Sequence, residues 1–372
     1  MTSFPCARIA RTFAPKASVG EGAICFTRFA NTIRIIQLRF TEIVTVRRVS
    51  SMFWVVCVLL LIGAFLLHLA IGSVYFFSPN TIFREIFWRE SESAVGAILW
   101  DLRMPRTIAA LLLGMNLSVV GAAFQALFRN PLADPYIVGV SSGSAVGGVL
   151  AVVLGIPIGL GVVSLAFITG LASLVITVAI ARRQGSLVLS TLLISGVAVG
   201  SFLWAVISFL LLAAGQDANR VLFWLLGSLA GMDWTRVQML FWVTLLGGLG
   251  VWTQSRALTV FSLGEETAKT LGVPTEVLKR NVLFLGSALT ATAVSCVGIV
   301  GFVGLFVPHI ARRIVGADLR VLIPACALLG GTLTLMADLL AQRLIPGSEI
   351  NLGIITALIG APFLFFVLKK QS

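Results

Sequence analysis

The chain has 372 residues, 58% of them hydrophobic and 11% charged, and a mean hydropathy of +1.03. A soluble domain carries about 25% charged residues, so composition excludes a soluble globular protein and leaves a polytopic membrane protein. The formal charge of +12 does not imply nucleic acid as a partner, because no basic stripe with interleaved aromatics lies outside the apolar segments.

The five cysteines, Cys6, Cys25, Cys57, Cys296 and Cys326, have neither disulfide nor metal-ligand spacing. No cofactor or metal is expected.

In chain order, residues 1–51 read as a basic N-terminal extension, rich in arginine and poor in acid, ahead of the apolar run that Met52 opens. Its mix of Ile24, Phe26, Phe29 and Ile33 with Arg28 and Arg34 would suit an amphipathic segment on an anionic leaflet. A start mis-assigned upstream of Met52, or a targeting peptide, would produce the same composition.

Residues 52–372 read as one transmembrane domain. About 20 apolar residues cross a bilayer. That length predicts about ten spans near 52–74, 105–128, 136–154, 160–181, 189–213, 234–253, 281–300, 303–315, 321–341 and 352–368. The eighth is short and contains Pro308, so it reads as a broken or re-entrant helix, tolerated where protein or a wet cavity satisfies its backbone.

Threading these spans with both termini inside puts twenty of the 27 basic residues on the cytoplasmic side, as the positive-inside rule requires. The turn 129–135 falls inside, and Arg103, Arg106 and Arg343 fall outside.

Small residues repeat at close spacing, as in Gly139, Gly143 and Gly147, which lets helix backbones touch in lipid. Within that stretch the polar cluster Ser141, Ser142 and Gly143 either packs or lines a pathway. The longest cytoplasmic loop holds SLGEETAKTLGVPTEVLKR, a polar, helix-prone segment broken at Gly272 and Pro274 and shaped to dock a partner. No G-x-x-x-x-G-K-[ST] occurs, so the chain is not expected to bind or hydrolyse nucleotide itself.

Asp338 lies inside an apolar run, where a carboxylate must face protein or water. It reads as a structural group paired with Arg343 or capping a neighbouring helix. His309, with His68 as the other histidine, cannot build a histidine metal site and reads as packing at the Pro308 break.

The segment from Arg103 to Gly147, together with GSLAGMDW from Gly227, SLGEETAKTLGV from Ser262, GIVGFVGLFVPHIARRIVG from Gly298 and LGIITALIGAPF from Leu352, resembles the FecCD-type permeases of type II ABC importers. These carry iron-siderophores, haem or vitamin B12. The resemblance implies an all-α polytopic fold in a bacterial-type inner membrane. It also implies cytoplasmic ABC ATPase subunits, an extracytoplasmic binding protein and a second permease copy, identical or not, as partners.

It implies further that Glu266, Ala268, Leu271 and Gly272 form the surface that meets the ATPase, and that Ser186, Ser190 and Thr191 belong to a cytoplasmic gate. Arg103, Arg106 and Arg343 would pair with acids on the binding protein. Where similar permeases place an arginine four residues after the aspartate of the ninth span, this chain has Gln342, and Arg343 follows it.

The favoured substrate is an iron-siderophore, with haem and vitamin B12 as alternatives. An ion-coupled secondary transporter would need paired intramembrane charges, and beyond Asp338 the spans offer almost none. An intramembrane enzyme lacks a nucleophile beside a base.

Overall fold

The computed structural model describes residues 50–72, 76–88, 94–157, 159–345 and 347–371. The N-terminal extension up to residue 49 lies outside them.

The described chain is helical apart from one short hairpin. Helix α1 (Ser51–Ala70) opens where Ser50 Oγ accepts the Met52 N–H at 3.2 Å. The short α2 (Pro79–Trp88) precedes a π-helical turn, Ile98–Arg103, that runs straight into α3 (Met104–Leu127). Then come α4 (Val140–Val153), α5 (Leu160–Ala181) and the antiparallel strands β1 (Arg182–Arg183) and β2 (Ser186–Leu187). Gln184 and Gly185 close that hairpin with φ of 48° and 84°, the paired positive values of a tight two-residue turn.

Helices α6 (Leu189–Ala213), α7 (Ala218–Leu225) and α8 (Trp234–Thr253) follow. The polar loop contributes α9 (Ser255–Phe261) and α10 (Glu265–Thr270), and the chain ends with α11 (Thr275–Val297), α12 (Val303–Val315), α13 (Leu319–Arg343) and α14 (Leu352–Gln371).

Six helices among the described residues are long and apolar enough to cross a membrane: α1, α3 with its lead-in turn, α5, α6, α11 and α13. Helices α4, α8, α12 and α14 stand where the other four spans are expected but fall short in length or apolarity.

Helix α3 is the central post, with 83% of its apolar window buried against 17% for α6. It touches α13 backbone to backbone: a Cβ on Gly114 would run into the Gly330 carbonyl, and one on Gly330 into the Gly114 carbonyl. Thr334 Oγ1 donates across this contact to Ala110 O at 2.7 Å, and Ser118 Oγ donates to Cys326 O at 2.7 Å. Small side chains thus permit the approach and hydroxyls bond across it.

Two expectations are corrected. The eighth span is short, 13 residues or about 20 Å, but it is an unbroken helix. Pro308 cannot bond to the carbonyl of Gly304, and the Gln125 side-chain amide donates to that carbonyl instead, at 3.4 Å.

Nor do residues 129–135 all lie beyond the end of α3. Arg129 stays at the end of α3 beside Gly264, but the chain then runs back: the Pro135 ring and the Leu117 carbonyl both lie where a Cβ on Gly304 would sit. Leu117 is about 15 Å inside α3, so α4 starts within the protein and needs only 14 residues.

Candidate functional site

Two polar clusters occupy opposite ends of the bundle. At the end where α3 begins, Arg106 holds Asp338 of α13 with two bonds, Nε to Oδ2 at 2.8 Å and Nη2 to Oδ1 at 3.0 Å. Its remaining Nη1 reaches Glu349 Oε2 at 2.9 Å.

Asp338 Oδ2 also meets His68 Nε2 and the Gln342 Nε2 donor, both at 2.8 Å. His68 Nδ1 lies 2.8 Å from Thr107 Oγ1, whose own O–H goes to Arg103 O at 2.7 Å. Asp338 is 1% exposed. An apolar helix accepts such a carboxylate because a planar guanidinium and two further polar groups replace its water.

The expected pairing of Asp338 with Arg343 is therefore corrected: Arg106 takes the carboxylate, and Gln342 supplies a neutral donor. Arg343 is exposed. Arg103 is not on a rim. Its guanidinium caps the C-terminal end of α1 through Leu69 O at 2.7 Å and Ala70 O at 3.0 Å, and stacks over the Phe77 ring at 4.0 Å. Cations suit that helix end.

At the opposite end, Lys279 of α11 is buried and draws three segments together. Its Nζ donates to Glu265 Oε1 of α10 at 2.7 Å, to Glu276 Oε1 at 2.9 Å and to Leu187 O of β2 at 3.0 Å. Glu276 returns a bond to β2 by accepting the Leu187 N–H at 3.0 Å. The polar loop and the hairpin that leads into α6 are thus tied through one ammonium group.

Of the loop residues singled out, Glu266 and Leu271 point outward, and Glu266 pairs with Lys269 at 3.0 Å. Lys269 is held above the usual lysine range by its hydrogen bonds to Glu266 and Glu265. Ala268 is 0% exposed, so it supports α10 from beneath and presents no surface. Gly272 has φ of 79° and open space where a Cβ would stand.

Ser186 is exposed on β2, and Ser190 and Thr191 lie in the first turn of α6. Ser141, Ser142 and Gly143 are buried in the α4 contacts with α5 and α6: a Cβ on Gly143 would meet Ser173 and the Thr169 carbonyl. In the single chain Ser141 and Ser142 keep 7% and 6% exposure. His309 lies against Phe363, ring centroids 5.8 Å apart.

His68 and Lys279 are the residues that sequence reasoning passed over. His68 is a lone polar group on an apolar helix, and Lys279 is one of several charges in the polar loop segment; the fold brings the first to Asp338 and the second to Leu187.

Residues 59–370 match the FecCD transport family. The chain belongs to that family. It is 43% identical over 275 residues to the cobalamin import system permease protein BtuC of Halobacterium salinarum, covering 74% of each chain. It is 34% identical over 314 residues to the Fe(3+)-citrate import system permease protein YfmE of Bacillus subtilis, covering 84% of this chain and 93% of that one.

A solved metal-chelate type ABC transporter in an inward-facing conformation superposes with a TM-score of 0.76 at 32% identity, over 84% of this chain and 97% of that one. This permease is accordingly a multi-pass membrane subunit of the ABC importer class.

Proposed function

We propose that the chain is the membrane subunit of an ATP-driven importer for a metal chelate, with an iron-siderophore as the leading substrate. It would cross the membrane about ten times with both termini in the cytoplasm of a bacterial-type cell. The Lys279 knot carries this reading: it couples the loop that would meet an ATPase, with Glu266, Leu271 and Gly272 at its surface, to the hairpin and first turn of α6, where Ser186, Ser190 and Thr191 would gate a pathway.

Helix α6 supports a second permease copy as partner. It leaves Ile194, Val197, Phe202, Phe209 and Leu212 between 63% and 85% exposed in the single chain, a long apolar face that a second copy or lipid would cover.

At the other end Arg343 and the Arg106–Glu349 pair would form the rim that meets a binding protein. A corrinoid is the second reading, favoured by the 43% identity to a cobalamin permease. The test is uptake by cells deleted for their own importers and supplied with this chain, its ATPase and its binding protein. Labelled ferric siderophore should accumulate in an ATP-dependent way. Accumulation of labelled cobalamin alone would select the corrinoid reading, and uptake of either without ATP would overturn the importer.

A further inference from the structure

Beside the Lys279 knot, a cleft of about 390 Å³ opens between the last two turns of α5, the hairpin and the first turns of α11. Its walls are largely apolar: Val175, 66% exposed, and Phe284, 57% exposed, line it together with Val178 and the buried Leu283. Two arginines, Arg182 of β1 and Arg280 of α11, line the same cleft. Both are exposed, and neither has an ion-pair partner among the described residues.

One acid lines it, Glu276, and that carboxylate is already spent on the Lys279 ammonium at 2.9 Å and the Leu187 N–H at 3.0 Å. The cleft therefore offers an apolar trough ending in two uncompensated guanidinium groups, at one end of two membrane-crossing helices. A soluble anion would not need the trough, and a neutral lipid would not need the arginines.

We propose that this cleft binds one anionic phospholipid of the cytoplasmic leaflet, its phosphate between Arg182 and Arg280 and an acyl chain against Val175, Val178 and Phe284. Basic pockets between membrane helices take anionic headgroups in this manner, and guanidinium suits phosphate by its forked geometry. The cytoplasmic side rests on the proposed orientation; the lipid chemistry does not. The bound lipid would tie the hairpin to α11 from outside, as Lys279 ties it from within.

The experiment uses the permease with its ATPase in nanodiscs of mixed phosphatidylglycerol and phosphatidylcholine, with lipids that survive detergent exchange counted by native mass spectrometry. Wild type should retain about one phosphatidylglycerol per permease chain. Arg182→Gln with Arg280→Gln should retain at least fivefold less, while Arg182→Lys with Arg280→Lys keeps most of it, with matching thermal midpoints showing that all three fold.

Glycerol phosphate in excess should not displace the lipid. Equal retention of the two lipids by wild type, unchanged retention in the Gln variant, or displacement by glycerol phosphate would each overturn the site. A wild-type assembly that holds the lipid yet transports nothing would count against the importer and leave the lipid site standing.

Discussion

Arg106 and Asp338, 232 residues apart in sequence, form a two-pronged ion pair that fastens α3 to α13. The carboxylate is 1% exposed and the guanidinium 13%, so removing either partner strands a charge away from water. Arg106→Gln and Asp338→Ala should each lower stability by about 3–5 kcal/mol, the usual cost of breaking a buried pair. Replacing both with Met and Leu should recover much of it. Thermal unfolding of the purified protein in detergent checks the three variants.

The two flanking arginines should behave oppositely. Arg103→Ala loses two bonds to carbonyls of α1 and the Phe77 stack, so it should cost about 2–3 kcal/mol of stability. Arg343→Glu should leave stability unchanged and weaken binding-protein docking by about 1 kcal/mol, the scale of an exposed pair. That loss should shrink as salt rises. Melting curves and binding isotherms at two ionic strengths separate the effects.

Gly272→Arg places a side chain in open space from a residue with φ of 79°. Left-handed backbone penalises an L-residue by about 1–2 kcal/mol, which a protein of this size should survive. The variant should insert and assemble, yet hydrolyse ATP in the assembly without import. Normal uptake would remove Gly272 from the contact surface.

Lys279→Met leaves Glu265 and Glu276 facing each other without the ammonium between them. Import should fall steeply while the ATPase still binds, and Lys279→Arg should restore part of it. Accessibility of a cysteine at Ser186, read by thiol labelling with and without ATP, should respond to nucleotide in wild type and cease to respond in the Met variant.

Asp318 caps α13 by accepting the Arg320 N–H at 3.0 Å. Burial acts to raise its pKa, but the Arg320 side chain and N–H outweigh it and hold the carboxyl below the usual range. A depressed carboxyl contributes stability above its unfolded pKa and loses it as pH falls through the folded one. Wild type should therefore exceed Asp318→Ala by about 1 kcal/mol at pH 7 and converge with it as pH falls through the depressed folded-state pKa.

Apolar periodicity and length made α1, α3, α5, α6, α11 and α13 legible in the sequence, and the motif blocks located the loop at Glu265–Thr270. Depth was not legible. Nothing in Asn130 to Pro135 marks that the segment turns back beside α3, because the cause is a distant glycine, Gly304, that leaves room for Pro135.

Partner choice was hidden for a similar reason. Arg106 and Arg343 look alike as exposed basic residues at helix ends, and only the crossing of α3 with α13 decides which of them faces Asp338. The inward side of Ala268 likewise depends on what lies beneath α10.

The mutual contact of Gly114 and Gly330 leaves no layer of side chains between α3 and α13 to slide or repack. Tilting one helix would drive carbonyl into backbone, so the two must travel as a single beam. The freedom to alternate between states then belongs to the thinly packed periphery, above all α6 and the hairpin before it. Amide exchange should draw that boundary, slow along α3 and α13 and faster through the hairpin that leads into α6.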